Sequence, residues 1–298
     1  MSLRKHYAIA TATGVAVAAL SAPQAVAAGA QTVMFGDSVF ANPTYGQIGT
    51  TSSLSPSAST TLSSATHGIE DAPGAPSPQG CPQGQSNVGR ELGRVSGQHV
   101  ANYACSAAKA AGHSHRKDFD EQINGAIANN DLNGATKNVL LQFGANDFQE
   151  IVRPSLSSSN PYYDGMKHSI QRIRHAAPNA RITVVGYPAV SARNGAVCPL
   201  RTSMPGSTAA GFNMDYAGLV RTGEDQVNSA MYKAARANGV QYYDLRADSI
   251  DHGMCAPDNS RWISGKWEYS VPHNLFNHLT HLGNRNVAQL LNSKVLAH

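Results

Sequence analysis

Thr32-Val33-Met34-Phe35-Gly36-Asp37-Ser38 opens on a short β-branched, apolar and aromatic run and ends in a Gly-Asp-Ser turn. A run of this kind without polar alternation predicts a strand buried on both faces of a parallel sheet, with Ser38 presented by the turn at its C-terminal end. Three later stretches read the same way: Val139-Leu140-Leu141-Gln142-Phe143, Arg181-Ile182-Thr183-Val184-Val185 and Val240-Gln241-Tyr242-Tyr243.

Helical patterns separate these runs. Tyr216, Leu219, Val220, Gly223, Val227, Ala230, Met231 and Ala234 recur at three- and four-residue steps, giving one apolar stripe that Asn238-Gly239 ends. Shorter stripes lie at Ile123 to Ile127 and from Val287 through Leu290, Leu291 and Val295. Strand and helix alternate, so the fold class is α/β, a three-layer α/β/α sandwich with a parallel central sheet. In open parallel sheets, sites form beyond the carboxyl ends of strands. Ser38 and Asn146 both fall just past a predicted strand end and can share one rim.

The first residues carry Arg4, Lys5 and His6, an apolar stretch from Ala8 to Leu20 and the small-residue site Ala25-Val26-Ala27. This pattern reads as a secretory signal over residues 1–27, since the apolar stretch is too short to span a bilayer and no stop-transfer flank follows. Residues 28–298 then form a single domain, with no later apolar run long enough for a transmembrane segment. The net charge of +4 is spread without a dense basic run, which argues against a nucleic-acid partner.

Cys81, Cys105, Cys198 and Cys255 lack the close spacing of a zinc site, and an even number in an exported chain predicts two disulfides. Three pairings are open. Cys81 with Cys105 and Cys198 with Cys255 is favoured, because each bridge would tie down loops on either side of one structural unit. Residues 42–80 are dominated by Ser, Thr, Ala, Pro and Gly and read as a low-complexity insertion, either a mobile surface segment or a flap near Ser38.

Ser38 alone is an ordinary turn serine, Asn146 alone a helix-capping residue, and His278 one of 12 histidines. Together they are the parts of an acyl-transfer site. A serine hydroxyl needs an adjacent base, and a tetrahedral intermediate needs donors aimed at its oxyanion.

Gly36-Asp37-Ser38, then Gly144-Ala145-Asn146-Asp147, then His278-Leu279-Thr280 with Gly283-Asn284-Arg285, taken in this order, resemble the sequence blocks of the SGNH, or GDSL-type, esterases and acylhydrolases. The likeness is strongest to their disulfide-bearing secreted bacterial members. It implies a flavodoxin-like SGNH-hydrolase fold, Ser38 as nucleophile, His278 as base, and an oxyanion hole from the Ser38 N–H, the Ala107 N–H and the Asn146 side chain.

Two positions depart from the family pattern. Ala107 stands where the family has glycine in Asn-x-x-x-Ser-Gly, and would serve as a donor provided its φ is negative. Leu275 stands three residues before His278, where the family has aspartate. The Leu275 carbonyl is then expected to orient the imidazole, with Asp258 or Glu268 as carboxylates that could reach in. A shift of register to His281 supplies no carboxylate either, and loses the Leu-Thr-x-x-Gly match.

The function implied is a secreted serine esterase or acylhydrolase that cleaves carboxylic esters of lipids, envelope glycolipids or acetylated sugars. It proceeds through an acyl-enzyme on Ser38 and needs neither metal nor organic cofactor. An acyltransferase on the same site and a non-catalytic binding module on the same fold are the alternatives.

Overall fold

A computed structural model describes residues 29–49, 74–111, 117–153, 159–201 and 211–297. The strands are β1 (Thr32–Gly36), β2 (Val100–Asn102), β3 (Asn138–Gln142), β4 (Arg181–Val185), β5 (Leu200–Arg201), β6 (Gln241–Tyr243) and β7 (Trp267–Glu268). The helices are α1 (Ser38–Ala41), α2 (Tyr45–Gly49), α3 (Val88–Ser96), α4 (Phe119–Ala128), α5 (Phe148–Val152), α6 (Pro161–Ala176), α7 (Leu219–Ala237), α8 (Leu245–Ser249) and α9 (His281–Leu291).

Five strands form one sheet in the order β2-β1-β3-β4-β6, and every pairing is parallel. All five residues of β1 are buried, as are all five of β3, which is why their sequences run apolar without alternation. Successive side chains still point to opposite faces. Val33, Phe35, Val139, Leu141, Ile182 and Val184 pack with Ile123, Met166, Ile170, Ile173, Val227 and Met231 on the side of α4, α6 and α7. Met34, Leu140 and Val185 face the other way, against Val88 and Leu92 of α3 and Val287 and Leu291 of α9. The layers are helix, sheet, helix, as the alternation predicted.

The strand order reverses between β1 and β3, and a crevice at such a switch point is where flavodoxin-like sheets bind ligands. Gly36 pairs with Gln142, so the turns carrying Ser38 and Asn146 leave the sheet side by side.

The sequence stripe overshoots at one end. Val227, Ala230, Met231 and Ala234 are buried as expected, but α7 begins at Leu219, and Tyr216 and Leu219 are exposed. Strand β2 escaped the reading because its Val-Ala-Asn is too short to give a pattern.

Both expected disulfides form, Cys81–Cys105 and Cys198–Cys255, with Cα–Cα distances of 5.4 and 5.0 Å. The stretch assigned to an insertion needs correction at its ends. Asn42 is fully buried, and Gln47 of α2 donates to the Gln83 carbonyl at 3.0 Å, so the segment just after α1 belongs to the packed fold. Residues 50–73 lie outside the described residues, as do 1–28. No helix among the described residues is long and apolar enough to cross a membrane.

Candidate active site

Ser38 is the first residue of α1, a single turn placed immediately after β1. Asp37 caps that turn by accepting from the Val39 N–H at 3.0 Å, and Asn42, in the left-handed region at φ 40°, closes it by donating its N–H to the Ser38 carbonyl. The end of β1 is also held from α4. The buried Gln122 amide accepts from the Gly36 N–H at 3.0 Å and donates to the Gly36 carbonyl at 2.9 Å. These two contacts fix where the turn begins.

His278 reaches this turn from the far end of the chain. Its Nε2 lies 2.8 Å from Ser38 Oγ and its Nδ1 2.8 Å from the Phe276 carbonyl oxygen. A carbonyl can only accept, so Nδ1 carries the proton and Nε2 presents its lone pair to the hydroxyl. Burial holds the imidazole below its ordinary value, while the hydrogen bond to Phe276 acts in the opposite direction. A neutral imidazole so placed can accept the hydroxyl proton near neutral pH.

The carbonyl expected in this role was that of Leu275, and it is corrected to Phe276. The Leu275 oxygen accepts instead from Ser264 Oγ at 2.6 Å. Ser264 also donates its N–H to the His278 carbonyl at 2.9 Å, so the loop is pulled into a tight fold that turns the next carbonyl toward the ring. Asn277, at φ 58°, supplies the left-handed bend. Phe276 is supported in turn by Tyr45, whose hydroxyl accepts its N–H at 2.7 Å and whose ring lies 4.8 Å from its ring.

Asp258 and Glu268 have other partners. Asp258 Oδ1 accepts from Arg201 at 2.6 Å and from Arg261 at 2.8 Å, and Glu268 accepts from Arg261 at 2.5 Å. All four side chains are buried. Burial alone would raise both carboxyl pKa values, but hydrogen bonds from the guanidinium groups hold Asp258 and Glu268 below the usual carboxylate range. His281 opens α9, with its Nε2 3.2 Å from Asn274 Oδ1.

Asn146 lies across the switch point. Its Nδ2 donates to the Ala108 carbonyl at 3.0 Å and sits 3.4 Å from Asp37 Oδ2. The Cys105 N–H donates to the Gly36 carbonyl at 3.1 Å, which brings residues 106–108 alongside Asp37 and Ser38. Ala107 does not have the negative φ expected of it. Its φ is 62°, the left-handed conformation that glycine adopts freely and alanine only with strain, so the backbone here bends as a glycine would bend it.

Two buried carboxyls underlie this rim. Burial raises Asp37 to about 7 despite hydrogen bonds from Tyr187 and Val39, and raises Asp147 to about 6 despite donation from the Ala110 and Ala111 N–H groups. Tyr187 was missed in the sequence. It follows β4 by two residues and so reaches the same rim; its position past a predicted strand end was the available signal.

A cavity of about 340 Å³ opens beside Ser38 and His278. Val39, Phe148, Val190, Val227, Ile263 and Leu279 give it an apolar wall, and Gly223 and Glu224 of α7 complete one side. Glu224 is turned away from an acyl-binding role, since it accepts from the Val190 N–H and from Ser191.

A serine hydroxyl held on an imidazole at the switch point of a flavodoxin-like parallel sheet defines the SGNH class of fold. Residues 63–285 match the GDSL-like lipase/acylhydrolase family, and the chain belongs to that family of ester hydrolases. Lipase 2 of Streptomyces coelicolor is 30% identical over 102 residues, 34% of this chain and 32% of that protein, so the match spans about a third of the relative's length. Among solved structures, phospholipase A1 from Streptomyces albidoflavus NA297 superposes with a TM-score of 0.54 at 18% identity, covering 90% of this chain and all of that one. The extracellular lipase from Streptomyces rimosus gives 0.50 at 17% identity, covering 88% of this chain and 98% of its own. These two likenesses are of fold.

Proposed function

We propose that the protein is a secreted serine esterase that works with a Ser38–His278 dyad, the Phe276 carbonyl taking the place of an acid. The observation that carries the reading is the pair of 2.8 Å contacts on the two imidazole nitrogens, one to Ser38 Oγ and one to Phe276 O.

Ser38 Oγ attacks the ester carbonyl as His278 Nε2 takes its proton. The resulting imidazolium keeps its Nδ1–H on the Phe276 oxygen, which maintains the ring orientation that a triad acid otherwise provides. Negative charge on the tetrahedral oxygen is met by the Ser38 N–H, by the Ala107 N–H, presented at the glycine-like φ of 62° and not at the negative φ expected, and by the Asn146 Nδ2 hydrogen on the Asp37 side, whose 3.4 Å contact is the longer of its two. The Ser38 N–H opens a helical turn, where helix geometry supplies no acceptor for it. Collapse returns the proton from Nε2 to the departing alcohol and leaves acyl-Ser38. Water then repeats the sequence and releases the acid, with no metal or organic cofactor required.

The apolar cavity beside Ser38 suits the acyl group. Residues 1–27 act as the export signal, and 28–298 form the catalytic domain. Two disulfides support an oxidising destination.

Turnover of p-nitrophenyl esters of graded chain length tests the reading. Hydrolysis should be found for at least one acyl length and vanish in Ser38→Ala. No turnover of any ester by the folded protein, or hydrolysis surviving in Ser38→Ala, overturns it.

A further inference from the structure

The hydroxyl of Tyr187 makes two contacts that no step above uses. It donates to Asp37 Oδ2 at 2.5 Å and accepts from the Ala145 N–H at 3.1 Å. Asp37 directly precedes Ser38, and Ala145 directly precedes Asn146. The same Asp37 oxygen faces Asn146 Nδ2 at 3.4 Å, while the Ala108 carbonyl takes the other Nδ2 hydrogen at 3.0 Å, and the other Asp37 oxygen caps the turn that carries Ser38. One phenol from the end of β4 therefore bridges the turn after β1 and the turn after β3.

That bridge spans the switch point, where the two turns leave adjacent strands with no hydrogen-bond ladder to keep them in register beyond Gly36 and Gln142. The position of Tyr187 is itself well determined. The residue is almost fully buried, and its N–H donates to Asn228 Oδ1 at 2.8 Å, which anchors it to α7. Oxyanion stabilisation depends on donors fixed before the charge develops, and a small misplacement of one donor lowers the rate without altering ground-state binding.

We infer that Tyr187 is a positioning residue: its hydroxyl, through Asp37 and the Ala145 N–H, sets the Asn146 carboxamide against Ser38 for oxyanion binding. The inference rests on the ester-hydrolysis reading. Asp37 in this arrangement is the relay between nucleophile turn and donor, and a Phe at 187 fills the same space while leaving the relay untied.

A mutant cycle tests this on the full-length secreted protein, with the p-nitrophenyl ester that wild type turns over fastest. Tyr187→Phe should lower kcat about tenfold with KM within twofold. In an Asn146→Ala background the same substitution should change kcat less than twofold, because the group it positions is gone. If Tyr187 only supports the fold, its loss will be as large in Asn146→Ala as in wild type, and that additivity overturns the inference. An unchanged kcat in Tyr187→Phe overturns it too. Should Tyr187→Phe fail to melt cooperatively, Asp37→Asn breaks the same bridge from its other end and is carried through the same cycle under the same criteria. Ser38→Ala, run alongside, separates this outcome from failure of the esterase reading: hydrolysis that survives without Ser38 removes the premise, whereas hydrolysis that needs Ser38 and ignores Tyr187 removes only the bridge.

Discussion

The turn that presents Ser38 and the loop that presents His278 meet at 2.8 Å but are held by opposite means. The serine turn is local. It follows a buried strand, is capped by the residue before it, and rests on carboxyls that burial pushes up, Asp37 to about 7 and Asp147 to about 6. The histidine loop has little regular structure between β7 and α9. It is held by a buried cluster of Arg201, Asp258, Arg261 and Glu268, whose carboxyls are pulled down and which reaches the loop through Ser270. One region relies on strand geometry and neutral or weakly charged hydrogen bonds, the other on fully compensated charge.

The difference teaches where the site is rigid for free and where it depends on a few partners. Asn42 joins the two regions. Its Nδ2 donates to the Leu279 carbonyl at 3.3 Å, and its own carbonyl accepts from Asn274 at 2.7 Å. His278 and Ser38, 240 positions apart in sequence, are thus lashed together by the residue that ends the first helical turn.

The largest effect expected is on chemistry. Removing the base with His278→Ala should lower kcat on the order of 10³- to 10⁴-fold, by analogy with loss of a general base. His281→Ala should stay within about tenfold of wild type. A dead His281 variant beside an active His278 variant would move the base to the other register.

Next in size is the charge cluster. Arg261→Met leaves Asp258 with one partner and Glu268 with none among the guanidinium groups of the cluster, and breaking such a buried pair costs about 3–5 kcal/mol. Urea unfolding should show this loss. Glu268→Gln, wherever it still folds, should keep kcat within about tenfold, because Glu268 orients Arg261 and not the imidazole. A collapse of kcat in folded Glu268→Gln would erase the distinction between the two regions.

The two regions should also respond oppositely to pH. Glu268 is held below its ordinary value of 4.5, so its contribution to stability is present above that pH and is lost as pH falls through the folded value. The difference in Tm between wild type and Glu268→Gln should therefore narrow below pH 4.5. Asp37 is raised from 3.8 to about 7, so the fold binds more protons there than the unfolded chain, and ionising it weakens the fold as pH rises through that window. Relative to wild type, Asp37→Asn should gain Tm between pH 4 and pH 8. For the reaction, the lowered imidazole predicts that the acid limb of kcat/KM lies below pH 6.5, the ordinary histidine value.

The smallest effect concerns Ala107. Glycine at φ 62° relieves the strain of a left-handed alanine while losing more chain entropy on folding, a net gain of about 0.5–1 kcal/mol. Thermal unfolding of Ala107→Gly should register it as a higher Tm; an unchanged or lower Tm would mean that the methyl group packs usefully on this exposed turn.

The sequence alone pointed to four of the five parallel strands, to the rim they share and to Ser38, Asn146 and His278 as the candidate groups on it. The runs of β1 and β3, buried on both faces, leave a continuous apolar record, and the turns after them carry short motifs in fixed order; the fourth run, read the same way, is instead the edge strand β6, where Gln241 is exposed and Tyr242 and Tyr243 are half-buried. The disulfide partners were also favoured from the sequence, from four isolated cysteines and the signal-like first 27 residues. What completes the histidine side came only from the fold. The choice of Phe276 over Leu275 depends on Ser264 capturing one carbonyl and turning the next, a competition between groups more than ten residues apart that no local pattern records. The left-handed bend of Ala107 is imposed by the packing of residues 105–108 beside β1, against the preference of alanine itself. Tyr187 joined the site for the same reason: strand register, and not sequence spacing, brings the end of β4 to the turns after β1 and β3. Local sequence specifies which groups are available at each strand end, whereas hydrogen bonds between distant segments decide which of them face one another.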